Sequence, residues 1–242
     1  QSSDPASVLM SCPLPTRQDS FPPCGGRENK REIHSIGIDA GGSWIRILTV
    51  DGKGRAIRSF RGRAGSLRKL PLLLERIFKQ WAVPRLPAMA IGAKGVWTRK
   101  EKESLRLRLE NFADRVLVFS DIEMAYRAIF GNSPGILILA GTGSIALGKD
   151  SQGRVARAGG LGPKRGDEGS GFWIGQRWLR FKKGRGRNTI QEIAGLAGSV
   201  IRKAQRGDAV ASLITREAQT HLSKLASQVS GKLRLGKRIP IG

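Results

Sequence analysis

Cysteine is nearly absent from this chain: Cys12 and Cys24 are the only two, and both lie among the first 32 residues. The folded body that follows can therefore hold no disulfide, no Cys-ligated metal and no iron–sulfur cluster, which fits a reducing cytoplasm. Histidine is as scarce. His34 opens a strand pattern and His221 sits on an amphipathic helix pattern, so both read as packing or surface groups, against a His-based metal site or triad. No window approaches 18 consecutive apolar residues, so nothing is predicted to span a membrane. No G-x-x-x-x-G-K-[ST] stretch occurs, which removes the Walker A class. Acids are few as well, with 19 Asp and Glu against 43 Lys and Arg and a formal charge of +24.

The excess of positive charge is carried by the body. In the opening stretch Arg17, Arg27 and Lys30 balance Asp4, Asp19 and Glu28, and its Pro, Ser and Gly predict a disordered tail over residues 1–32 with no secretory signal. The densest basic run is "RWLRFKKGRGR", Arg177 to Arg187, with Trp178 and Phe181 interleaved. Such a field attracts polyanions, so nucleic acid is a partner to weigh, though a solvated basic face is the more ordinary reading.

The body reads as two lobes, residues 33–132 and 133–242. "HSIGID", "WIRILTVD" and "RAIRSFRG" have the character of three short strands joined by tight turns. Next comes a helix pattern, "LRKLPLLLERIFKQWAV", with Pro71 in its first turn. "PAMAIGA" reads as strand, "RKEKESLRLRLENF" as helix, "RVLVFS" as buried strand and "DIEMAYRAIF" as helix. "GNSPG" then marks a boundary. Three more strand patterns follow, "ILILA", "SIALGKD" and "GRVARAGG", and helical material covers Gly169–Arg180 and most of Asn188–Lys232. "KRIPIG" closes the chain in strand-like fashion. Each lobe thus starts with three short strands and continues into helices, an architectural repeat with little literal sequence identity.

The repeat places "GIDAGGS" and "LAGTGS" at the first hairpin of each lobe. Gly41 and Gly42 are expected to supply positive φ for the turn. Successive N–H groups in such turns converge on anionic oxygens, and two of them across a cleft could hold a polyphosphate. "GTGSIA", Gly141 to Ala146, also matches a dinucleotide fingerprint. That fingerprint requires a helix next, whereas "SIALGKD" is strand, so the dehydrogenase reading falls. Asp121 stands where a strand gives way to a helix, at a strand end where α/β sheets place ligands. "SDIE" is equally a capping box, and local sequence favours the cap. "RGDEGSGFWIG" brings Asp167 and Glu168 together among glycines, and can also be read as a loop capped by Ser170.

Taken in order, "IGIDAGGSWIRILTVDGKG", "SDIEMAYRAIFGNSPGILILAGTGSIALG" and "RAGGLGPKRGDEGSGFWIGQRWL" resemble the N-acetylglucosamine kinase and BadF/BadG/BcrA/BcrD-type ATPase family. That family belongs to the sugar kinase, Hsp70 and actin superfamily. The resemblance implies an α/β, two-lobed actin-like ATPase (ribonuclease H-like) fold with an incomplete second lobe. It implies ATP and Mg2+ as cofactors and phosphoryl transfer to a hydroxyl of a sugar, an amino sugar foremost. Asp39 would position the metal, while Gly41, Gly42 and Ser43 would approach the terminal phosphates. Gly141, Thr142, Gly143 and Ser144 would form the second phosphate loop. Asp121 would be the general base, and Asp167, with Glu168 and Ser170, would bind the sugar. Phosphoryl transfer is largely positioning and charge neutralisation, so such parts suffice. The implied partners are the sugar and ATP in a cytoplasmic protein, without a membrane, and a homodimer is left open.

The sequence departs from the family in several places. Ala40 and Ser43 stand in a first loop that more often reads D-G-G-G-T. Leu161 replaces the Trp of "GGWG", and an asparagine is missing from "FRGRAGSLRKL", which leaves another amino sugar or an unrelated acceptor open. "IPIG" would lead into a glycine-rich adenosine loop, and the chain ends there. The competing reading is an inactive or truncated relative that binds a polyanion through its basic body. An activator of a radical dehydratase is set aside, because its cluster needs cysteines that the body lacks.

Overall fold

The computed structural model describes residues 32–163, 165–182, 188–236 and 238–242. The tail, with Cys12 and Cys24, lies outside these residues except for Glu32, as does the end of the basic run from Lys183 to Arg187. The chain divides into two compact units, Gln1–Ala128 and Ile129–Gly242.

In the first unit, β1 (Ser35–Ala40), β2 (Trp44–Val50) and β3 (Ala56–Arg63) form an antiparallel meander. The strands β4 (Leu86–Ala93) and β5 (Ala113–Ser120) add in parallel, giving the order β3-β2-β1-β4-β5. Alternation along the strands divides the side chains between two faces. Ile36, Ile38, Ile45, Ile47, Met89 and Ile91 are buried in one core with the helices α1 (Leu70–Trp81) and α2 (Arg99–Leu109). The helix α1 buries Leu70, Leu74, Ile77 and Phe78, at the spacing of one helical stripe. Pro71 lies in its first turn, as the sequence predicts, but the residues before it form a separate 3-10 turn, Leu67–Lys69. The last helix of this region, α3 (Asp121–Phe130), follows β5 without a connecting loop.

In the second unit β6 (Gly135–Ala140), β7 (Ser144–Lys149) and β8 (Val155–Gly159) repeat the meander. Ile241 then pairs in parallel with Ile136, which gives β6 the same kind of neighbour that β4 is to β1. The helical region is broken into α4 (Gly171–Phe181), α5 (Ile190–Gly195), α6 (Ala197–Gln205) and α7 (Ala209–Leu233). Gly207, with φ 87°, and Asp208, whose carboxylate caps Ala211 N–H, end α6 and start α7. Ala226, Val229 and Leu233 of α7 cover Ile136, Ala146 and Ala158 of the sheet.

The repeat extends to individual hydrogen bonds. In "DGKGR", Asp51 Oδ1 accepts from Lys53 N and Arg55 N at 2.9 Å, and Oδ2 meets Arg55 Nε at 2.8 Å. In "DSQGR", Asp150 Oδ1 accepts from Gln152 N at 3.0 Å and Arg154 N at 2.8 Å, and Oδ2 pairs with Arg154 Nε. Gly54 and Gly153 take φ 77° and 81° at matching positions. The shared D-x-x-G-R signature is short, but it fixes the β2–β3 and β7–β8 turns in the same way.

Candidate active site

The first hairpin grows directly out of the sheet register. Arg61, Arg46, Asp39, Gly92 and Phe119 are successive register partners across all five strands, so they form one row on the face opposite the α1/α2 core. Arg46 Nη1 lies 2.9 Å from Asp39 Oδ2, and both side chains are substantially exposed. On Asp39's other side the row presents Gly92. A Cβ there would sit 2.6 Å from Met124 Cβ and 3.6 Å from Asp121 Cα, so the missing side chain lets the start of α3 settle on β4. This is how two carboxylates distant in sequence become neighbours in charge.

Asp121 is half-buried at the first position of α3. The capping box is present, but it is made by its neighbours. Ser120 N–H donates to Glu123 Oε2 at 2.8 Å, and Glu123 N–H donates to Ser120 Oγ at 3.3 Å. Glu123 is further held by Lys102 at 2.7 Å. Asp121 Oδ1 accepts from Ile122 N at 2.9 Å. Burial raises its pKa, opposed by the Ile122 N–H and by Lys94, and reinforced by the negative charge of Asp39. The capping carboxylate and Asp121 are therefore different residues of one tetrapeptide.

Gly41 and Gly42 do not supply the positive φ expected of them. Gly41, Gly42, Gly141 and Gly143 are not among the glycines of positive φ. Close approach explains Gly143, and at Gly42 a flexible lysine end fills the space. A Cβ on Gly42 would lie 2.8 Å from Lys94 Nζ, and one on Gly143 would lie 2.8 Å from Asp167 Oδ2. Each turn closes on itself, Gly41 N–H to Trp44 O at 3.0 Å and Gly141 N–H to Gly143 O at 2.9 Å. The N–H groups of Gly42 and Ser43, and those of Thr142 and Gly143, have no acceptor among the described residues. Each hairpin thus offers two consecutive free donors, the element from which an anion nest is built.

The second hairpin is held from below by the "GDEGSG" segment. Gly171 N–H donates to Gly141 O at 2.7 Å and Phe172 N–H to Thr142 O at 3.3 Å. Ser144 N–H reaches Asp167 Oδ1 at 3.5 Å, and Ser144 Oγ donates to Glu168 O at 2.8 Å. Asp167 is buried at φ 66°, a left-handed conformation that Asp tolerates better than most residues. Glu168 is exposed and contributes its carbonyl here. Ser170 is buried and caps α4, its Oγ accepting from Trp173 N at 3.2 Å. Beside these residues a cavity of about 550 Å³ opens between α4, α6 and α7. Its lining includes Ala140 and Gly171 at the hairpin, apolar Ile174, Ile201 and Leu222, and polar Thr215 and Gln219.

Sequence reading overlooks Lys94 and Gly92. A glycine interrupting the apolar run "AMAIGA" followed by a lysine is the available signal, since Gly inside a strand marks close approach of another element. Of the basic run, Arg177 Cζ lies 4.7 Å from the Trp173 ring centre and pairs with Glu217, while Phe181 is exposed. Among the described residues no helix is long and apolar enough to cross a membrane, and no three His, Cys, Asp or Glu groups gather as a metal cage. A magnesium ion needs only one or two carboxylates plus phosphate oxygens and water, so Asp39, with Asp121 nearby in charge, fits that requirement.

Comparison with known proteins identifies relatives of this chain. The chain is 31% identical over 176 residues to an N-acetylmuramic acid/N-acetylglucosamine kinase of Clostridium acetobutylicum, covering 65% of this chain and 57% of that protein. It is 27% identical over 187 residues to an N-acetyl-D-glucosamine kinase of Dictyostelium discoideum, covering 62% of this chain and 59% of that one. The chain thus spans under two thirds of the curated relatives it matches. A crystal structure of a provisionally assigned N-acetylglucosamine kinase from Chromobacterium violaceum superposes with a TM-score of 0.66 at 26% identity, covering 87% of this chain and 86% of that one. A ROK family glucokinase from Streptomyces griseus shares the fold at a TM-score of 0.55 and 21% identity, covering 81% and 80%. The mixed α/β units are those of the actin-like ATPase fold. The profile of the BadF/BadG/BcrA/BcrD ATPase family matches residues 103–239, more than half of the chain, and the chain belongs to that family.

Proposed function

We propose that this protein transfers the terminal phosphoryl group of ATP to a hydroxyl of a sugar, with an amino sugar as the acceptor class. The observation that carries the proposal is Asp121, a half-buried carboxylate outside the capping box, whose pKa is raised by burial and whose charge is felt beside Asp39. A raised pKa makes a carboxylate a better acceptor for a hydroxyl proton, and general-base positioning contributes about 10²–10⁴-fold. In the proposed step the acceptor oxygen forms a bond to phosphorus while its proton passes to Asp121. The bond from phosphorus to the bridging oxygen breaks, and its electron pair stays on the departing ADP.

The free N–H pairs of Gly42 with Ser43 and of Thr142 with Gly143 support phosphate binding. The 550 Å³ cavity has the size and mixed lining of a small-molecule pocket and suits the nucleoside. Bound magnesium would supply charge neutralisation, with Asp39 as its protein carboxylate. Asp167, Glu168 and Ser170 are proposed at the sugar end, with Asp167 also fixing the second hairpin. The relatives named for N-acetylglucosamine and N-acetylmuramic acid support an amino sugar. Leu161, 65% exposed, stands where the family pattern offers a stacking Trp.

ADP formation measured against a panel of amino sugars tests the proposal. Asp121→Asn should lower turnover by about 10²–10⁴-fold and leave ATP binding within twofold of wild type. Undiminished turnover in the Asp121→Asn variant would end the case for Asp121 as base. The charge of +24, with Arg61 and Arg63 packed 4.3 and 4.6 Å from the Trp44 ring centre, favours one other reading, a polyanion-binding relative without turnover. Salt-sensitive retention of nucleic acid, together with no stimulation by any sugar, would select it.

A further inference from the structure

We infer that Lys94 is a phosphate-binding residue of the first hairpin, its ammonium taking the terminal phosphoryl group of the nucleotide. The inference rests on the phosphoryl-transfer reading and adds a residue that the family resemblance does not assign. Lys94 directly follows β4, and its N–H donates to Ala40 O at 2.9 Å, which ties its backbone to the last residue of β1. From there the side chain runs across the hairpin. A Cβ on Gly42 would meet Lys94 Nζ at 2.8 Å, Cδ at 3.0 Å and Cε at 3.4 Å, so the lysine occupies the space that the glycine leaves open.

Three features give that placement a chemical meaning. The unpartnered donors of Gly42 and Ser43 lie in the same turn, so the ammonium adds a full charge to a nest of N–H groups. No carboxylate pairs with Lys94 among the described residues, whereas Arg46 is committed to Asp39. Its charge also reaches Asp121, where it counters the effect of burial on that carboxyl. A lysine acting as a mobile point charge on a phosphate is a recurrent solution, and phosphoryl transfer depends on neutralising charge at the transferred group and the leaving oxygen. A Cβ at position 42 would push the flexible end of Lys94 aside, so glycine there leaves the ammonium room on the turn.

Binding of inorganic triphosphate with Mg2+, of ATP and of AMP to the 242-residue chain, measured by isothermal titration calorimetry, tests this. Lys94→Met should weaken triphosphate and ATP by about tenfold or more, and leave AMP, which lacks the terminal phosphates, within twofold. Lys94→Arg should recover most of the loss. Lys100→Met removes the same charge from an exposed position on α2 and should change nothing, which separates a local contact from the overall field. Equal triphosphate affinity in wild type and Lys94→Met, or no binding of triphosphate by wild type at millimolar concentration, overturns the inference. Failure of the kinase reading has a different signature: triphosphate binding that depends on Lys94 with no ADP formed from any sugar.

Discussion

Replacing Gly143 by Ala tests how the second hairpin is held. The new Cβ would lie 2.8 Å from Asp167 Oδ2, 3.1 Å from Cγ and 3.2 Å from Oδ1, and so cannot coexist with the carboxylate where it is. Asp167 has little room to yield, because it is buried and its carbonyl accepts from Ser170 N–H at 3.1 Å. Overpacking of this kind costs about 1–3 kcal/mol. Asp167→Gly gives the complementary change. It removes an acceptor for Ser144 N–H that, at 3.5 Å, is at the weak limit of a hydrogen bond. It also relieves a left-handed residue, worth about 1–2 kcal/mol, against the extra chain entropy of glycine, about 0.5–1 kcal/mol. The single variant should therefore stay within about 1 kcal/mol of wild type. With no carboxylate to strike, Gly143→Ala in the Asp167→Gly background should lose most of its cost, a coupling of about 1–3 kcal/mol by urea denaturation. Additivity within about 0.5 kcal/mol would refute the proposed contact.

Two further outcomes follow from the same structure. The Arg55 N–H, chief among the bonds to Asp51, holds that carboxyl below its usual range despite burial; for Asp150 burial is the largest influence, outweighed by the side-chain and backbone bonds from Arg154. Folded pKa values below the unfolded one mean stability that is complete above about pH 5 and lost as pH falls through about 4 and below, so Asp51→Asn with Asp150→Asn should flatten that acid limb in pH-dependent urea titrations. Gly92→Ala must displace Met124 and the start of α3, so it should cost about 1–3 kcal/mol and lower turnover without weakening AMP binding, measured by thermal denaturation and ADP release. Full activity in Gly92→Ala would show that Asp121 does not depend on that approach.

Much of the fold is legible locally. The strand character of "SIGID" and "ILILA", the helical spacing of apolar residues in "LPLLLERIF", and Pro71 in a first turn are short-range signals, and the structure agrees with each. The helical C-terminal stretch reads as nearly continuous, yet Gly207 and the Asp208 cap divide it. A cap competes with helix propensity over only a few residues, so a long amphipathic pattern hides it. The D-x-x-G-R turns escape a reading of the sequence because five residues carry the whole signal.

What the sequence by itself determined is which groups the chain can bring to chemistry: few acids, no cysteine in the body, and two glycine–hydroxyl hairpins at matching points of a repeat. Those follow from composition and local pattern, which need no knowledge of distant residues. Tertiary structure alone decided what each group sits beside. Strand register set Asp39 beside Gly92, Gly92 admitted α3 and hence Asp121, and the crossing of Lys94 over Gly42 and of Asp167 under Gly143 turned two glycines of the hairpins into points of close contact. Contacts between residues tens of positions apart depend on pairing and packing, and a single sequence read along its length does not encode them in any local signal.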